Sequence, residues 1–221
     1  MRLKVDRGDA FAMLTQTKPP TEKQAPQAGQ HTTLEEFFAI PEGPPYYEFE
    51  EGELIPMVKP HGRHQEVVLV LGAALRSQVV PGKLGRVWPE IEVRLPGQAR
   101  VYAPDLVFLS TDHLDRYSDT DGRIHGAPDL AVEILSPGTE RRDRTTKLRA
   151  YQQAEVPWYW LVRPDDLWIE EYRLTPEGYV LAQAVPPGEA FTPGLFLGLS
   201  IDLAALMGET VKGESEESSN Q

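Results

Sequence analysis

The chain has 221 residues, 40% hydrophobic and 25% charged, which suits one soluble globular domain with tails. It has no cysteine, which rules out a disulfide framework, cysteine-ligated zinc and iron–sulfur clusters. The formal net charge of −12 argues against a protein that coats nucleic acid, because Lys and Arg supply most non-specific affinity for phosphate. It leaves a nuclease open, since a bound cation would invert the local field at a site.

Residues 1 to about 30 hold little apolar material after Leu14 and read as a disordered N-terminal tail. Met1 to Ala10 lacks the apolar stretch of a signal peptide, and no run approaches the roughly 20 apolar residues of a membrane helix. A cytoplasmic location without membrane attachment is therefore expected. Residues 208–221 form a second, acidic tail, which leaves 31–207 as the folded domain.

Thr33-Leu-Glu-Glu36 has capping-box spacing and starts a short helix. The alternation on both sides of Glu51-Gly52 predicts a hairpin over 46–57. Val67, Val68, Leu71, Ala74 and Leu75 recur at helical spacing, giving an amphipathic helix over 63–79 that Pro81-Gly82 should end. Strands are expected over 85–95, 101–109 and 129–135, the last two apolar enough for a sheet covered on both faces. The polar stretch 111–127 between them reads as a long functional or mobile loop. A helix over 141–154, a strand from Pro157 and a hairpin around 175–178 complete an α/β fold with a central mixed sheet flanked by helices.

Two acids stand out in the apolar strands. Asp105 follows Pro104, a pairing common in turns. Glu133 lies mid-strand between Val132 and Ile134, where an ionised carboxylate needs a cationic partner or a metal. Lys147 and Tyr151 follow on the next helix, four residues apart and so on one face. A helical lysine is most often simply solvated, and the arginines around it (141, 142, 144, 149) usually mark an exposed face, although a basic helix start can hold phosphate. His64 and Glu66 open the long helix and are secondary candidates. His61-Gly-Arg-His64 has no zinc pattern, and Ser136 reads as a turn residue without a nucleophile's partner.

In order, Tyr47-Glu-Phe-Glu-Glu-Gly-Glu-Leu-Ile, His64, Ala103-Pro-Asp-Leu-Val-Phe-Leu, Ala127-Pro-Asp-Leu-Ala-Val-Glu-Ile-Leu-Ser-Pro, Lys147-Leu-Arg-Ala-Tyr151 and Trp158-Tyr-Trp-Leu-Val resemble the Uma-type restriction endonucleases of the PD-(D/E)xK nuclease superfamily. The resemblance implies a restriction-endonuclease-like fold and metal-dependent hydrolysis of DNA phosphodiester bonds. It implies Mg²⁺, with Mn²⁺ as a substitute, held by Asp105, Glu133 and the main-chain carbonyl of Ile134. Lys147 and Tyr151 would complete the catalytic set. The superfamily's lysine normally stands two residues after the acid, where this chain has Leu135, so Lys147 would supply the amine from the following helix. That departure and the net charge of −12 keep open a catalytically inactive binding or regulatory domain with the nuclease fold; a hydrolase of RNA or small phosphate esters also stays open, because nothing in the sequence reads a base or a sugar. Cutting both strands of a duplex would need two sites and so a homodimer, for which Trp158-Tyr-Trp160 offers a surface if these aromatics are not core.

Overall fold

The computed structural model describes residues 31–209. The N-terminal tail and all but the first two residues of the acidic C-terminal tail lie outside the described residues. Helix α1 (Leu34–Phe38) carries the expected capping box: Thr33 accepts from the Glu36 N–H while Glu36 accepts from the Thr33 N–H. Strands β1 (Tyr47–Glu50) and β2 (Glu53–Pro56) form the hairpin, with Glu51 and Gly52 at positive φ in its turn.

Helix α2 (Gly62–Gly82) runs three residues past the expected end, through Pro81. In the last turn a missing N–H costs little, and the stop comes from left-handed Lys83, whose N–H caps the Val80 carbonyl. Its buried stripe of Val67, Leu71, Leu75 and Val79 packs on the main sheet.

The chain then departs from the sequence reading. The expected single strand over 85–95 is two, β3 (Gly85–Pro89) and β4 (Val93–Arg94); that over 101–109 is also two, β5 (Arg100–Tyr102) and β6 (Leu106–Ser110). Each pair straddles two separate sheets. One sheet has the order β2-β1-β5-β4-β8-β7 and the other β12-β11-β10-β9-β6-β3. Apolar alternation continues through the first break and a largely apolar run spans the second, so residue pattern alone could not show that the chain changes sheets. The breaks fall at Glu90, which has φ 47°, and at Ala103-Pro104-Asp105, where proline cannot donate to a ladder.

The stretch 111–127 is not a free loop. It forms a 3₁₀ turn (Thr111–Arg116), β7 (Tyr117–Ser118) and β8 (Arg123–His125), which completes the first sheet. Ile124 is fully buried, and Tyr117 stacks on Trp88 with centroids 5.2 Å apart. Strand β9 (Leu130–Ile134) lies at the centre of the second sheet, antiparallel to β6 and parallel to β10 (Trp158–Arg163), so both sheets are mixed. The helical segment between β9 and β10 is continuous but not uniform: α3 (Glu140–Arg142), a π-helical turn (Asp143–Lys147) and α4 (Leu148–Gln153). The hairpin of β11 (Trp168–Thr175) and β12 (Gly178–Val185) and the short α5 (Leu203–Leu206) follow.

Strand alternation divides the core. Leu130, Val132 and Ile134 face α2 and the segment around Phe191 and Phe196; Ala131 and Leu135 face α4 and the first sheet. Glu133 shares the second face, within that core. Tyr159 and Trp160 are also core, which removes them as a partner surface.

Gly85 marks the tightest backbone approach. At φ 152° an added Cβ would stand 1.9 Å from the Leu109 carbonyl oxygen across the β3–β6 ladder. Gly85→Ala should cost about 3 kcal/mol, or roughly 6–12 °C in Tm, by thermal unfolding. Gly138→Ala, where an added Cβ meets nothing within 4 Å, should melt close to wild type.

Candidate active site

Asp105 lies at the point where the chain passes from β5 in one sheet to β6 in the other, rather than inside a strand as its sequence context suggested. Its Oδ2 accepts from the Ile134 N–H at 2.6 Å, which ties it to the end of β9 beside Glu133. The other oxygen, Oδ1, lies 3.3 Å from His64 Nε2 in the first turn of α2. Burial of the imidazole opposes its charging, but Asp105 and the Ile134 main chain outweigh that and raise its pKa. His64 is buried, and its Nδ1 has no hydrogen-bond partner.

Glu133 is 4% exposed, and both of its side-chain hydrogen bonds land on Oε1: Lys147 Nζ donates at 2.9 Å and the Tyr151 hydroxyl at 2.9 Å. The helix face that their four-residue spacing gives Lys147 and Tyr151 delivers both groups to one acid. Lys147 itself is not solvated. It is 5% exposed at the end of the π-helical turn. Such turns displace side chains from the regular helical register and recur at functional sites.

Three participants escaped the sequence reading. Glu48 on β1 is buried, and its Oε1 lies 2.9 Å from Lys147 Nζ, the same distance as Glu133. It also accepts from the Ala103 N–H at 3.0 Å, and its Oε2 takes Arg142. Arg142 bridges to Glu50 at 3.0 Å and lies over the Tyr102 ring at 5.1 Å. Asp143 is buried, 3.7 Å from Lys147 Nζ, with Oδ1 lacking a hydrogen bond. The available signal was the alternation of β1, which puts Glu48 and Glu50 on one face opposite a helix rich in arginine. Of the basic residues there, Arg142 and Arg144 are paired inward while Arg141 and Arg149 are exposed. Glu66 is exposed and takes no part in this cluster. Ser136 serves its turn, bonding Thr139 at 2.9 Å.

The electrostatics are unbalanced in one direction. Glu48, Glu50, Glu133 and Asp143 place four carboxyl groups against two fixed cations, Lys147 and Arg142, while Asp105 pairs with His64. Burial disfavours charge on Lys147, but Glu133, Glu48 and Asp143 hold its pKa above the ordinary range. Glu48 is also buried, yet Lys147 and Arg142 hold it below the usual carboxylate range. Glu133 goes the other way: burial first, then the charges of Asp143, Asp105 and Glu48, push its pKa well above 4.5 despite Lys147. Lys147 is shared equally by Glu48 and Glu133, and Glu133 is the acid left short of positive charge.

A hard divalent cation suits that deficit. Among the described residues no group of three or more His, Asp or Glu side chains is arranged to hold a metal. The residues that could hold one here are two carboxylates, Asp105 and Glu133, an oxygen-donor pair of the kind Mg²⁺ takes while keeping several waters.

The sequence profile of the Uma2 family, described as "putative restriction endonuclease", matches residues 34–204. The chain belongs to this family. Its fold is also that of a solved structure from Anabaena variabilis described as a "putative nuclease belonging to DUF820": TM-score 0.66, 24% identity, covering 80% of this chain and 98% of that one. Among curated proteins none matches. The Uma2 match spans Glu48, His64, Asp105, Glu133, Lys147 and Tyr151, so the whole cluster lies within the family domain.

The raised pKa of Glu133 has a signed consequence for stability. Below about 4.5 the acid is protonated in folded and unfolded chains alike. As pH rises past that value the unfolded chain loses the proton first, so the metal-free fold loses stability. Relative to wild type, Glu133→Gln should therefore fare better at pH 8 than at pH 4, by urea unfolding of the metal-free protein at both pH values.

Proposed function

We propose that this protein is a metal-dependent endonuclease that hydrolyses DNA phosphodiester bonds at Asp105, Glu133 and Lys147. The observation that carries the reading is the buried Glu133, linked to Lys147 and Tyr151 on one side and set beside Asp105 on the other, within a domain of the Uma2 family. Asp105, Glu133 and the Ile134 carbonyl would hold Mg²⁺, or Mn²⁺ in its place. When bound, the ion would polarise the phosphate and lower the pKa of a coordinated water.

The chain's own residues account for the remaining requirements. The Lys147 ammonium stabilises negative charge on the phosphate oxygens as the transition state forms, at a site whose burial strengthens the interaction. Its raised pKa keeps it a cation, so it acts as an electrostatic group and not as a base. Tyr151 orients the Glu133 carboxylate through the 2.9 Å hydrogen bond, and its own raised pKa keeps the proton in place to do so. His64 sets Asp105 from the opposite side. Cutting both strands of a duplex would bring two copies together, and a homodimer belongs to the same proposal.

One observation favours a second reading. Leu135 stands where the superfamily's lysine is usual, and Lys147 is already neutralised by its partners, as in a nuclease fold kept only for binding.

Supercoiled, linear and single-stranded DNA incubated with Mg²⁺ or Mn²⁺ separates the two. Wild type should cut at least one form and stop on chelation. Asp105→Asn and Glu133→Gln should each lose more than about 100-fold, and Lys147→Met about 100- to 1000-fold. DNA binding without cleavage of any form, under either metal, would favour the second reading and sink the first.

A further inference from the structure

We infer that Glu48 is a positioning residue for Lys147, the anchor that keeps the ammonium in the site when Glu133 is committed to a cation. The inference rests on the nuclease reading for its consequence, but its geometry stands apart from it. Lys147 Nζ lies 2.9 Å from Oε1 of both Glu48 and Glu133. The two acids differ in everything else. Glu48 is held on every side by this chain: Ala103 N–H and Lys147 on Oε1, Arg142 on Oε2, and Arg142 in turn on Glu50 and the Tyr102 ring. Glu133 receives its hydrogen bonds on Oε1 alone and lies beside Asp105.

A carboxylate that also serves a divalent ion donates less electron density to a lysine, so a lysine depending on Glu133 alone would be released into a buried pocket. Glu48 prevents this. It comes from a different sheet than Glu133, and the Ala103 N–H that fixes it lies in the same crossing segment as Asp105. One short stretch, 103–105, thus sets both the anchor of the lysine and the first acid of the site. Lys147 is shared in the metal-free protein and falls to Glu48 in the loaded one.

Three measurements test this. Glu48→Gln forces an amide nitrogen against a donor and should lower kcat by about 10- to 100-fold, with KM for DNA and the Mn²⁺ Kd by calorimetry each within about fivefold of wild type. In a Lys147→Met background the same change should have almost no further effect on kcat, because Glu48 acts through the lysine. Independent effects in that double variant, or loss of Mn²⁺ binding in Glu48→Gln, would overturn the inference. If wild type cuts no DNA, the nuclease reading fails but the anchor is still decided. The crystal structure of Glu133→Gln should keep Lys147 Nζ within hydrogen-bond distance of Glu48, and an ammonium that leaves Glu48 there would overturn it. The same crystal structure decides the matter if Glu48→Gln does not fold.

Discussion

A buried lysine shared by two buried carboxylates is the constraint around which this protein is built. An ammonium that far from water is tolerable only when its charge is matched and its donors are taken. Lys147 meets that condition through Glu48 and Glu133, which come from two sheets that the chain passes between five times from β1 to β9. The crossings are therefore tied to the cluster. The one at 103–105 supplies the Ala103 N–H that fixes Glu48 and the Asp105 carboxylate that caps the Ile134 N–H.

The same cluster explains why it is not simply structural. A site optimised for stability would match carboxylates with cations or replace both by apolar groups. Here four carboxyl groups surround Lys147 and Arg142, and the imbalance falls on Glu133, whose proton affinity rises accordingly. Stability given up at one buried acid is a common mark of a site reserved for a ligand. Hard oxygen donors, a charge deficit and a neighbouring fixed ammonium fit a divalent cation and a phosphate, in keeping with the family to which the chain belongs.

Much of this was legible in the sequence, and the reason it was is local. Glu133 announced itself as one acid inside an apolar run, and the four-residue spacing of Lys147 and Tyr151 put both on the face that meets it. The capping box at Thr33 and the hairpin at Glu51-Gly52 rest on short-range chemistry and appeared as expected. What the sequence hid depends on pairing between distant segments. Alternation runs unbroken through 89–93 and a largely apolar run covers 101–109, so two sheets looked like one, and 111–127 looked like a loop because its strands are two and three residues long. Glu48 was hidden for the same reason: its partners are 55 and 94 positions away, and nothing near it in the chain marks it as buried. The burial of Lys147 was likewise invisible, because a π-helical turn leaves no clear trace in residue type.

In the proposed site, Asp105 and Glu133 hold a divalent cation while Lys147 stays on Glu48. Anomalous diffraction from a crystal soaked in Mn²⁺ tests it most directly. A single strong peak is expected between the two carboxylates and the Ile134 carbonyl, with Lys147 Nζ still against Glu48. A soaked crystal with no peak there, and Lys147 unmoved between its two acids, would contradict it.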